Sequence, residues 1–162
     1  MRTMRTMSPP QAVAPRTRDE LIDLLNEDLA REYQAVIAYV TYSQVLKGAQ
    51  YMGIAKELEV HAAEELAHAL TLARQIDYLG GSPAVVPKPV RTSRAPEDML
   101  RFDLDNEIET IGHYRTRILQ AEGLGEYAVG EAIRGILVQE QDHAIALATA
   151  LGIEVPEIPE QD

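Results

Sequence analysis

The sequence predicts an all-α domain, a four-helix bundle with one long crossover. Three observations lead there. Aromatic residues make up 5% of the 162-residue chain, with one Phe and no Trp, against 46% hydrophobic residues. That suits an Ala- and Leu-filled helical core better than packed strands. Four long segments carry apolar residues at spacings of three and four. All nine prolines fall outside those segments.

Residues 1–18 open the chain as a basic tail, expected to be disordered. They are rich in Pro, Thr and Arg, show no apolar periodicity, and hold Arg2, Arg5, Arg16 and Arg18 but no acid. The bundle is expected over residues 19–151. Its first helix spans about 19–47 and ends at Gly48; the second spans about 51–79 and ends at Gly80-Gly81. The stretch 80–96 holds four of the nine prolines and cannot be helical throughout. A third helix runs from about 97 to 121, with Pro96 ahead of it and Glu97 and Asp98 at its positive end. Gly123 and Gly125 break the chain before a fourth helix at about 126–150, closed by Gly152. Residues 152–162 contain two prolines and read as an extended tail, with no fifth helix. Helices of this length are roughly 38–44 Å long. Two short loops and one long connection make two antiparallel hairpins whose middle helices run parallel.

Composition narrows the chemistry. The chain has no Cys, so disulfides, thiolate zinc sites, iron–sulfur clusters and a catalytic thiol are excluded. Any metal must be held by His and carboxylate. The formal net charge is −11, and beyond residue 18 there are 11 basic and 26 acidic groups, a net of −15. Such a body attracts cations and repels nucleic acid and anionic lipid. With no apolar run of membrane-spanning length and no secretory leader, a cytoplasmic protein is expected.

The core stripes are apolar at both ends and polar in the middle. Asp28, Glu32 and Tyr39 lie on the first stripe, and His61, Glu65 and His68 on the second. Asp103, Glu107 and Tyr114 lie on the third, Glu140 and His143 on the fourth. Buried carboxylates cost several kcal/mol each unless compensated. A shift of 75 residues superposes Asp28 on Asp103, Glu32 on Glu107, Tyr39 on Tyr114, Glu65 on Glu140 and His68 on His143. The pattern D-x3-E-x6-Y…E-x2-H thus occurs twice, and one hairpin has been used twice. Each glutamate sits within two residues of its helix midpoint, so antiparallel packing brings all four to one level. Each E-x2-H pair puts its two side chains on one face. Four carboxylates and two imidazoles in an apolar core call for cations. Two divalent ions would neutralise the four negative charges, and the donor set suits iron, manganese or zinc. This constellation is the one known from ferritin-like di-metal bundles.

Residues 25–39, 64–76, 99–115 and 139–147 carry a resemblance to the ferritin-like superfamily, and within it to bacterioferritins. The resemblance covers about residues 19–151. It implies Glu32 and Glu107 as terminal carboxylates, Glu65 and Glu140 as bridges between two irons, and His68 and His143 as one ligand to each. It implies a ferroxidase that oxidises Fe2+ with O2 or H2O2 for iron storage or detoxification. Bacterioferritins bind haem through a Met between the Glu and His of the second helix. Here the run is Glu65-Leu66-Ala67-His68, so no haem is expected. A homo-oligomer is expected, with a dimer, a dodecamer and a larger cage all open. A peroxide-scavenging di-manganese or di-iron oxidoreductase, a Dps-like protective shell and a structural zinc bundle are the alternatives, with DNA binding disfavoured by the charge.

Around the six ligands, Tyr39 and Tyr114 are candidates to hydrogen-bond a carboxylate of the opposite half, or to donate electrons. Asp28 and Asp103 read either as acceptors for the free N–H of a ligand histidine or as solvated acids. His61 is expected as a packed core histidine, with a transient metal relay as the alternative, and His113 at the surface or an interface. Glu57, Glu59, Glu64 and Glu109 are expected on solvated faces.

Overall fold

The computed structural model describes residues 16–161. Most of the basic tail lies outside the described residues. Four helices follow in order: α1 Arg18–Val45, α2 Met52–Tyr78, α3 Pro96–Gly123 and α4 Tyr127–Leu151. A single 3-10 turn, Ala49–Tyr51, joins the first two. α1 packs along α2 and α3 along α4, and no strand occurs among the described residues.

α1 starts where its chemistry dictates. The Thr17 side chain accepts from the Glu20 N–H at 3.2 Å, and the Glu20 carboxylate accepts from the Thr17 N–H at 2.7 Å. This capping box satisfies two backbone donors at the helix end. Arg18 is therefore part of the bundle and not of the tail. Its side chain reaches the Leu79 carbonyl and Glu126, tying α1 to the ends of the neighbouring helices.

The core has two apolar ends with a polar layer between them. One end holds Leu21, Leu25, Leu29, Leu72, Ile76 and Ile133, all fully buried. The other holds Tyr42, Leu58, Leu100, Leu104, Ile111 and Leu147. At about 1.5–3 kcal/mol per fully buried large aliphatic side chain, these two ends supply the stability that the polar middle lacks.

The crossover between α2 and α3 is extended and pinned along α1. Asn26 brackets it, donating to the Ser82 carbonyl and accepting from the Ala84 N–H. The Lys88 N–H donates to the Ala30 carbonyl, and Gln34 donates to the Pro89 carbonyl. Where the chain leaves α2 it grazes α1, and a Cβ on Gly81 would stand 2.4 Å from Ile22. The C-terminal segment holds no helix among the described residues, and it is not free. Ile158 packs against the apolar end near Leu104, and the Thr116 hydroxyl donates to the Gln161 carbonyl. Gly112 makes room for it, since a Cβ there would meet Pro159 and Gln161 at 3.0 Å.

Candidate metal centre

The polar layer brings the six predicted residues together. Glu32, Glu65, His68, Glu107, Glu140 and His143 are all at least 96% buried. They form two overlapping groups. Glu32, Glu65, His68 and Glu140 offer ligand atoms within 4.8 Å of one another, and so do Glu65, Glu107, Glu140 and His143. Glu65 and Glu140 belong to both groups and so lie between two cation positions. The imidazoles stack with ring centres 6.0 Å apart.

Both rings turn Nδ1 inward. His68 Nδ1 lies 3.0 Å from Glu65, 3.3 Å from Glu140 and 3.6 Å from Glu32. His143 Nδ1 lies 2.9 Å from Glu65, 3.1 Å from Glu140 and 3.5 Å from Glu107. Yet Glu65 Oε1, Glu140 Oε2 and His143 Nδ1 have no hydrogen-bond partner among the described residues. Buried polar atoms are almost always paired. Carboxylate and imidazole donor atoms that converge this closely in a buried layer, without well-formed hydrogen bonds, are what a cation would satisfy, so the donor set fits a pair of divalent metals.

The electrostatics of the bare cluster agree. Burial, then repulsion from Glu140, Glu32 and Glu107, pushes the Glu65 carboxyl well up. Burial with Glu107 and Glu32 raises Glu140 to about 8. Burial also opposes ionisation of Glu32 and Glu107, but the histidine and carboxyl neighbours beside them bring both below the usual value. Without metal, protons take the place of cations.

Tyr39 donates to Glu107 and Tyr114 donates to Glu32, each across to the other half of the repeat. Burial and the facing carboxylate hold both phenols protonated, well above their ordinary range. The outer nitrogens of the histidines point away from the aspartates, toward the α2–α4 side. His68 Nε2 is 2.6 Å from Gln139 Oε1, and His143 Nε2 is 2.7 Å from Glu64 Oε2.

That placement corrects two expectations. Asp28 and Asp103 neither accept from a histidine nor face solvent; both are buried, with Asp28 in a salt bridge to Arg117. Glu64, still partly exposed, also holds a histidine. The 75-residue shift places Glu64 on Gln139, immediately before each E-x2-H, and was the available signal for this pair. His61 is buried, as expected, and stacks on His143 at 4.0 Å with Nδ1 unpartnered. It forms a third close group with Glu64 and His143. His113 is partly exposed and lies 3.5 Å from Glu109.

A cleft of about 160 Å³ leads to the layer between α1 and α3. Arg31, Lys88 and Glu109 line it, and it reaches all four central glutamates. Leu66, between Glu65 and His68, is exposed on α2. No described helix is long and apolar enough to cross a membrane.

Comparisons with known proteins point the same way. The chain is 27% identical over 135 residues to a bacterioferritin of Brucella melitensis, covering 83% of this chain and 84% of that one. A ferritin-like, diiron-carboxylate protein structure from Bacillus anthracis superposes with a TM-score of 0.79 at 33% identity, over 83% of this chain and 96% of the other. A dodecameric thioferritin from Bacteroides fragilis, described as bacterioferritin-related, gives 0.78 at 27% identity, over 84% and 86%. Residues 22–153 match the Ferritin-like domain, and the chain belongs to that family.

Proposed function

We propose that the protein is a ferroxidase, taking Fe2+ as substrate at the six-residue cluster and passing electrons to O2 or H2O2, in the service of iron storage or detoxification. The observation that carries this reading is the set of unpartnered Glu65, Glu140 and His143 atoms converging at the centre of a buried layer. In this reading Glu32 with His68 and Glu107 with His143 each hold one ion, and Glu65 and Glu140 lie between the two. Two Fe2+ supply two electrons, enough to take O2 to H2O2 or H2O2 to water.

The chain's own contribution is placement and proton handling. The α1–α3 cleft gives oxidant a path to the layer. Glu65 and Glu140 release their protons as the ions bind. Tyr39 and Tyr114 hold the outer carboxylates in place. The similarity to a dodecameric protein supports a homo-oligomer, and particle mass in solution checks it.

Aerobic addition of Fe2+ should produce the ultraviolet absorbance of Fe3+–oxo species, and Glu65→Ala should abolish it. Unchanged oxidation in that variant refutes the reading. Peroxide consumption without net iron oxidation would favour a peroxide-scavenging enzyme instead.

A further inference from the structure

The two halves of the repeat match at every central ligand but differ at the residue behind each histidine. His143 gives its outer N–H to a carboxylate, Glu64, whereas His68 gives its own to an amide, Gln139. The two partners occupy equivalent positions under the 75-residue shift and differ in one terminal atom. They also touch each other, Gln139 Nε2 standing 3.5 Å from Glu64 Oε1.

A metal-bound imidazole needs an acceptor for its other N–H, and that acceptor sets its basicity. A carboxylate draws the proton more strongly than an amide does. It leaves the inner nitrogen richer in electron density and better matched to a cation. A further difference acts in the same sense. His61 stacks on His143 and fixes its ring, while the equivalent position in the other half is Ile136.

We propose that the two metal positions are inequivalent, with Glu64 as the positioning residue that makes the His143 position fill first and hold its ion more tightly. This rests on the di-metal reading above. It gives each turnover an order: the first ion enters at His143, and the His68 position holds the more exchangeable one.

The test uses Co2+ as probe on the metal-free, full-length protein. Binding steps are followed by d–d absorption. The first ion is located by anomalous scattering at the cobalt edge in crystals given one equivalent. The expected result is a first ion at His143 and a second step at least about 10-fold weaker. In Glu64→Gln the first step should weaken by roughly 10–100-fold, the range for loss of a partner behind a metal-bound histidine. In the exchange variant Glu64→Gln/Gln139→Glu the first ion should move to His68. Both variants preserve side-chain size, and a purely structural role would weaken both steps without reversing their order. Equal occupancy in the parent protein, or a first ion still at His143 in the exchange variant, overturns the proposal. Absence of cobalt from the whole cluster at saturation would instead remove the di-metal reading itself.

Discussion

Asp28 and Asp103 are equivalent in the repeat, yet the fold treats them differently. Asp28 takes a bidentate contact from Arg117, at 2.6 and 3.1 Å, and a third from Arg31 at 3.0 Å. Gln120 in turn accepts from Arg117 at 2.6 Å. In the other half the positions of Arg117, Gln120 and Arg31 are held by Tyr42, Val45 and Asn106. Tyr42 spends its hydroxyl on the Arg91 carbonyl, and Asp103 has no ion pair among the described residues. Burial and the nearby Glu107 push the Asp103 carboxyl well above its usual value. One aspartate is buried as half of an ion pair, the other as an acid that prefers its proton. Burial alone therefore does not tell which carboxylates carry charge.

The sharpest way to break this contrast is Arg117→Leu. It should cost about 3–5 kcal/mol, because Asp28 would remain buried with its main partner gone. Urea denaturation would measure it, and a loss below about 1 kcal/mol would show that the pair contributes little.

A pH series on chelated protein comes next. Glu140 titrates near 8 when folded and near 4.5 when unfolded. Over that window the folded chain keeps a proton that the unfolded chain releases, so stability should fall as pH rises. Burial works against charge on His68 and His143, but their carboxylate neighbours raise both above 6.5. Their stabilisation is likewise lost as pH rises from there. Melting temperatures of the chelated protein should decline between about pH 5 and 8. Metal-loaded protein, whose ions displace those protons, should decline less. Parallel slopes would contradict a buried site.

The tyrosines test the part of the repeat that stayed symmetric. Tyr39→Phe and Tyr114→Phe should each cost about 1–2 kcal/mol and by similar amounts, since each removes one donor to a carboxylate. The smallest effect belongs to Asp103→Asn. It should change the stability of chelated protein by under about 1 kcal/mol, because burial and Glu107 already push that acid toward its protonated form. Asp28→Asn, by contrast, would strand Arg117.

Much of this was legible in the sequence. The four helices, the crossover and the six-residue layer follow from apolar spacing, breakers and the doubled motif, because periodicity reports which face is buried. The roles of Asp28 and Asp103 were not legible. Whether an acid on a core stripe meets a cation depends on a residue 89 positions away, and no local pattern marks Arg117. Glu64 was only partly legible for a related reason. Next to the stripe it counts as a solvated acid until the ring of His143 is known to point its outer nitrogen there. The docking of the C-terminal segment on Gly112 left no periodic trace at all.

The crossover pinned along α1 has a consequence for how such a site can change over time. A symmetric pair of separate hairpins would carry one gene's residue at both places, so any improvement behind one histidine would be imposed on the other. Joining the copies through residues 79–95 removes that constraint. Each half can then accumulate its own substitutions while the ligands stay matched, and the single-atom difference between Glu64 and Gln139 is the kind of divergence that only a fused duplicate can keep.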